Sequence, residues 1–267
     1  MSTDNYIYLY CVTQAQPNLK NLGVLAEGIF VILAGNLCAS VCYVPENEFN
    51  EDNLKKNITN LEWLKTHAER HERIIEGIMG NTAVIPSKFA TVFFNEQSLQ
   101  SFLDKYAVDL NDKLNSLANK EEWDVKIYCD PEQLTQSILL EDKSLLELDY
   151  QISTASPGKA YLLRKKKNGL IAEAVENGIV RYRKAFLARL ENFCSQSKIN
   201  ATTARQFTGR NDDMILNAAF LVEKKLVPEF IEQVQALDAE WKGVVKRFYC
   251  ESSGPWPPYN FCQLTER

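Results

Sequence analysis

The sequence predicts an α+β protein of two domains, residues 1–120 and 121–267, the second with the β-α-β-β-α-β order of a ferredoxin-like fold. Two observations carry that prediction. Stretches in which apolar residues alternate at period two are interspersed with stretches in which they recur every three or four residues. With 267 residues the chain is long enough for one large or two medium domains, and no tandem repeat marks it as a solenoid.

Tyr6-Ile7-Tyr8-Leu9-Tyr10-Cys11-Val12 reads as a strand with a tyrosine face and an aliphatic face, broken by Pro17 and Asn18. Gly28 to Leu33 and Leu37 to Val44 form a hairpin around Gly35-Asn36, and Pro45 ends it. From Glu51 to Met79 the stripe Leu54, Ile58, Leu61, Leu64, Ala68, His71, Ile75 and Ile78 predicts one long amphipathic helix, closed by Gly80-Asn81. Thr82 to Phe94 is extended with Pro86 in its middle, as suits an edge strand or a bulge. Glu96 to Leu117 is a second helix, built on Leu99, Leu103, Tyr106, Leu110 and Leu114. The first domain therefore reads as an irregular ferredoxin-like variant whose first helix is short or missing.

The second domain opens with a strand, Val125 to Cys129, and Asp130-Pro131 starts a helix as N-cap and first residue. Residues 141–154 are acidic and mixed and read as a variable connection. Ser156-Pro157-Gly158 precedes the longest helix, from Lys159 to Gln196. Ile199 to Phe207 alternates as a strand, Gly209-Arg210-Asn211-Asp212 is turn chemistry, and Met214 to Val222 is apolar enough to be central in its sheet. A helix from Pro228 to Trp241 and a strand from Val244 to Cys250 complete the order.

The stretch Gly254-Pro255-Trp256-Pro257-Pro258-Tyr259-Asn260-Phe261 follows directly. Its prolines exclude a helix and favour a stiff extended segment, which loses little entropy when its aromatic groups dock. It either plugs its own domain or holds a partner. We expect it to fold back, bury Trp256 and leave Tyr259 at an exposed position. It contains no nucleophile, base or metal ligand.

Net charge −5 disfavours non-specific nucleic-acid binding. No signal peptide is read at Met1-Ser2-Thr3-Asp4-Asn5, and no apolar run approaches the roughly 20 residues of a membrane helix. Seven cysteines without framework spacing read as reduced thiols of a cytoplasmic protein.

The candidate chemical groups have plain structural readings. His67 and His71 lie four apart on a helix, a spacing that can share a metal, but no third histidine exists and His71 sits on the apolar stripe. It reads as a satisfied core histidine, and no metal is expected. Arg164-Lys165-Lys166-Lys167 reads as a solvated face, without the stacking platform an RNA module would carry. Asp212 and Asp213 belong to a turn. Neither a Gly-rich phosphate loop nor a nucleophile elbow is present, so no catalytic residue and no cofactor is predicted. A small-molecule enzyme or an RNA-binding module on a ferredoxin-like scaffold remains the alternative.

Several of these segments, in order, resemble the gas vesicle protein F/L family. They are Trp63 through His71-Glu72, Val84-Ile85-Pro86, Lys88-Phe89-Ala90-Thr91-Val92-Phe93, Gly158-Lys159-Ala160-Tyr161-Leu162, Leu216-Asn217-Ala218-Ala219-Phe220-Leu221-Val222 and the tail from Gly254 to Phe261. Ala90 stands where that family usually has glycine, and Lys88 where arginine is common. The resemblance implies an accessory or assembly protein of gas vesicles, the gas-filled shells that give cells buoyancy. It implies partnership with the small apolar wall protein and other gas vesicle accessory proteins, two domains of ferredoxin-like character, and no catalysis or cofactor. The residues suited to holding a partner are then Pro86 and Phe89 on the broken strand, and Trp256, Pro257, Pro258, Tyr259 and Phe261 on the tail.

Overall fold

The computed structural model describes residues 5–141, 143–244 and 248–263. They form two units, each with its own antiparallel sheet: residues up to Glu122 together with those from Pro255, and Trp123–Gly254. The tail from Pro255, placed with the second domain on sequence grounds, clusters with the first unit.

In the first unit β1 (Asn5–Thr13) leads through a short 3-10 helix, Leu19–Ala26, to a hairpin of β2 (Ile29–Ala34) and β3 (Leu37–Pro45). Gly35 turns the hairpin at φ +61, a conformation open to glycine at no steric cost. There follow α1 (Glu46–Phe49), α2 (Glu51–Asn57), α3 (Leu61–Met79), β4 (Ile85–Pro86), β5 (Val92–Phe93), α4 (Glu96–Lys105) and α5 (Ala107–Leu117). The sheet order is β2-β3-β1-β4, with β5 also paired to β1. Tyr8 and Tyr10 of β1 pack with Ile74, Ile75 and Ile78 of α3, while Ile7 and Leu9 on the opposite face are equally buried.

The helix predicted over 51–79 is two helices. Asn60 is extended, and its side chain caps α3 by accepting from the Glu62 and Trp63 amides, so a new helix starts where the apolar stripe alone continued. Likewise the helix predicted over 96–117 breaks at Tyr106, which leaves helical geometry at φ −102, ψ 12. The extended stretch around Pro86 is an edge strand with a bulge. β4 pairs with Cys11 and Val12, β5 with Ile7 and Tyr8, and residues 87–91 bow out between them.

The second unit contains β6 (Lys120–Cys129), α6 (Pro131–Glu141), α7 (Lys143–Thr154), α8 (Pro157–Leu190), β7 (Gln196–Ile199), α9 (Arg205–Thr208), β8 (Asp213–Glu223), α10 (Val227–Val244) and β9 (Phe248–Trp256). The sheet order is β7-β8-β6-β9. Its core gathers Val125 and Ile127 of β6, Phe186 of α8, Phe220 of β8, Phe230 of α10 and Phe248 of β9. Asp130 caps α6 as predicted, its Oδ1 accepting from the Glu132 and Gln133 amides at 2.9 and 3.1 Å.

Three segments differ from their predicted form. Residues 143–154 are the helix α7, because Leu145 and Leu148, three apart, bury against their neighbours despite the acidic surroundings. The strand predicted at 199–207 lies earlier, ending at Ile199. Ser195 already donates to the Leu221 carbonyl, and after Asn200 the chain turns into α9, leaving Phe207 exposed. Val244 ends α10, and β9 runs on through Gly254-Pro255-Trp256, so the head of the proline segment is strand. Residues 245–247 of the predicted last strand lie outside the described residues.

Candidate functional site

The tail residues from Pro257 form a strap on the first unit. Pro257 and Pro258 are buried, and two tight turns follow, with Tyr259 N–H donating to the Pro257 carbonyl at 2.7 Å and Phe261 N–H to the Pro258 carbonyl at 3.1 Å. Phe261 and Cys262 are buried, and the Cys262 thiol sits 4.0 Å from the Pro86 carbonyl. Between the turns Asn260 donates from its backbone N–H and its side-chain amide to the carboxylate of Glu122, at 3.1 and 2.7 Å. Glu122 is 3% exposed. A carboxylate this deep needs such donors, because desolvation would otherwise be costly.

His71 is the second anchor. The Ser87 carbonyl, 3.2 Å from its Nε2, can only accept, so that nitrogen carries the proton. Nδ1 is then an acceptor and takes the Tyr8 hydroxyl at 2.9 Å; the Tyr8 oxygen in turn accepts the Ala90 N–H at 3.0 Å. The Tyr259 hydroxyl lies 3.2 Å from Nε2 and donates to Glu72 at 2.8 Å. Every member has a partner with the proton on the correct side, and the assignment requires a neutral imidazole. Burial pushes the His71 pKa down to about 4, and the Ser87 carbonyl only partly offsets this. Burial also raises Glu72, which Tyr259 partly relieves, and raises the Tyr8, Tyr10 and Tyr259 hydroxyls. The network joins β1, α3, the 87–91 bulge and the strap.

The bulge places Ala90 at φ +61. A side chain there is strained, which gives a physical reason for the glycine expected at this position.

The partner-holding residues chosen from sequence fall into two groups. Pro86, Pro257, Pro258 and Phe261 are buried; Phe89 and Tyr259 are half-buried. The Phe89 ring meets His71 and Trp63 edge-on, at centroid distances of 5.8 and 6.2 Å. Trp256, expected to be buried, is 41% exposed, and Tyr259 is tied inward by its hydroxyl. The two aromatic positions are the reverse of those predicted: the Tyr259 hydroxyl can donate to Glu72 and accept from His71 Nε2 together, whereas an indole N–H can only donate. Glu72, Glu122, Ser87 and Asn260, which complete the site, were not singled out; no spacing in the sequence marks them as partners.

The second histidine, His67, stacks on Trp63 with ring centroids 4.0 Å apart, and its Nε2 lies 3.5 Å from Glu48. Among the described residues no cluster of three or more His, Cys, Asp or Glu side chains could hold a metal.

The family model described as "Gas vesicle synthesis protein GvpL/GvpF" matches residues 6–263. The chain is 28% identical to gas vesicle protein L of a Streptomyces species, over 100% of this chain and 96% of that one. It is 26% identical to gas vesicle protein F of Microcystis aeruginosa, over 73% and 76% of the two chains. The crystal structure of the gas vesicle protein GvpF from Anabaena sp. superposes with a TM-score of 0.77 at 18% identity, covering 98% of this chain and 100% of that one. The corresponding structure from Microcystis aeruginosa gives a TM-score of 0.68 at 20% identity, with the same coverage. The chain thus has the GvpF fold, and it belongs to the GvpL/GvpF family of gas vesicle synthesis proteins.

Proposed function

We propose that this chain is a non-catalytic accessory protein that holds the small apolar wall protein while the gas vesicle shell forms, acting in the cytoplasm and at the vesicle. A shell with a dry interior needs an apolar inner face, so its subunits are prone to aggregate before assembly. A protein that holds them must offer apolar contact of its own.

The observation that carries this reading is Trp256. It is 41% exposed, while Pro257 and Pro258 beside it and Phe261 beyond are buried. An indole presented on an anchored support loses little freedom on binding, which is the character of an interface hot spot. In this reading the half-buried Phe89 and Tyr259 also belong to the partner-holding set, and the buried Pro86, Pro257, Pro258 and Phe261 give it a fixed support. Other gas vesicle accessory proteins are further partners; nucleic acid and membrane are not. Net charge −5 supports that limit, as does the pairing of Lys167 in the basic run with Asp149. No helix among the described residues is long and apolar enough to cross a membrane.

We also read both units as ferredoxin-like variants. Numbering the strands within each unit, both sheets have the order 2-3-1-4, and the 3-10 helix Leu19–Ala26 occupies the place of a shortened first helix.

The test is co-purification with co-expressed wall protein. Trp256→Ala is expected to weaken the complex about thirtyfold, the equivalent of roughly 2 kcal/mol, in a chain that stays folded. Full affinity in that variant would remove Trp256 from the contact, and absence of a complex with the unaltered chain would remove the function.

A further inference from the structure

The four sheet edges of the two units differ in how they are protected. The edge formed by β4 and β5 carries Pro86 and the 87–91 bulge. β7 carries Lys198, and β9 carries Glu251 and Pro255. Charges, prolines and bulges on an edge prevent pairing with a further strand.

β2 has none of these. Ile29-Phe30-Val31-Ile32-Leu33-Ala34 is uncharged, and its register with β3 runs without a shift from Ile29 opposite Cys42 to Ala34 opposite Leu37. It ends the order β2-β3-β1-β4, and no backbone hydrogen bond joins it to a described residue outside β3. Ile29 to Ile32 are half-buried, with α4 packed against the strand, and Leu33 is 61% exposed. On the neighbouring strand Tyr43 is also exposed, its ring 4.8 Å from that of Phe30.

We infer that the outer edge of β2 accepts an extended, uncharged apolar segment of the small wall subunit as an added strand. This deepens the function proposed above and rests on it. The outward row of N–H and C=O groups can be met in register only by an extended backbone. Apolar side chains along Ile29–Leu33 favour a segment without charge, since a charged group set against them would lose hydration.

A second copy of this chain fits less well. An edge of six residues spans about 20 Å. Paired with itself it confines two folded copies to the contact that this one edge provides. Each copy also brings a net charge of −5, whereas an uncharged segment meets no such repulsion and can fold over Leu33 and Tyr43 as well.

The experiment is residue-resolved hydrogen exchange on the chain alone and on its complex with co-expressed wall subunit. Alternate amides within Ile29–Ala34, those facing outward, should exchange at least about tenfold more slowly in the complex. Val31→Lys with Leu33→Lys should abolish the complex while the melting temperature holds. If the pair melts early, Leu33→Lys alone, at the more exposed position, carries the same expectation. A complex that forms with β2 amides unchanged, or that survives these substitutions, overturns the inference and leaves the function standing. No complex at all overturns both. Slow exchange in the chain alone, together with a dimeric mass, assigns the edge to a second copy and overturns it too.

Discussion

The hydroxyl of Tyr259 lies 3.2 Å from Nε2 of His71, a residue 188 positions earlier in the chain, and donates to Glu72 beside it. Tyr259→Phe keeps the ring but leaves Glu72 without that donor. Half-buried hydrogen bonds to charged groups contribute about 1–2 kcal/mol, and a loss of that size is expected in the urea unfolding of the first unit. An unchanged midpoint would show that the hydroxyl only fills space.

His71 makes stability depend on pH. Its folded pKa is held down at about 4 by burial, below the unfolded value of 6.5. Between these values the unfolded chain binds the extra proton. The contribution is therefore fully present above pH 6.5 and is lost as pH falls towards 4, a total of roughly 3 kcal/mol. Glu72, raised by burial, acts with the opposite sign in the carboxylate range. The window from pH 6.5 to 5 is thus where His71 is read most cleanly. There the wild-type chain should lose stability and His71→Asn should show a flat profile; equal slopes would refute the assignment.

Ala90 should be improved by glycine. Its φ of +61 costs an L-residue about 1–2 kcal/mol, and glycine returns part of that through its freedom in the unfolded chain. Ala90→Gly is expected to gain about 0.5–1 kcal/mol in denaturant unfolding, with the Tyr8 contact to the backbone N–H intact. A destabilised variant would show that the bulge is held some other way.

Glu122 and Asn260 should be energetically coupled. Removing either leaves a polar partner behind, so Glu122→Ala and Asn260→Ala are each expected to cost about 2–3 kcal/mol. The double variant should cost much less than their sum, with a coupling of at least about 1 kcal/mol. Strict additivity would mean that the strap is held elsewhere.

Strands and helices that bury a regular apolar face were legible in the sequence. β1, the β2–β3 hairpin, β8 and α10 stand close to where periodicity put them. What was not legible depends on single polar atoms or on distant partners. Asn60 splits a helix by capping a new one, although the apolar stripe continues past it. Acidic 143–154 is helical because two leucines bury against the flanking helices, which composition does not show. At the site, periodicity located His71 in the core, but Glu122 became a docking point only through Asn260, 138 residues later. Tyr259 and Trp256 exchanged roles because the sequence shows two large aromatic groups and only the fold shows which one reaches a carboxylate.

That separation has a consequence during synthesis. Glu122 and His71 are translated long before the strap that satisfies them. At roughly 5–20 residues per second, the 138 residues between Glu122 and Asn260 take about 7 to 28 seconds to make. Throughout that interval the buried carboxylate lacks its two Asn260 donors and Glu72 lacks Tyr259. The body of the first unit is made before the second unit and its strap after it, so a nascent chain stalled between Glu122 and Pro257 carries an incomplete first unit.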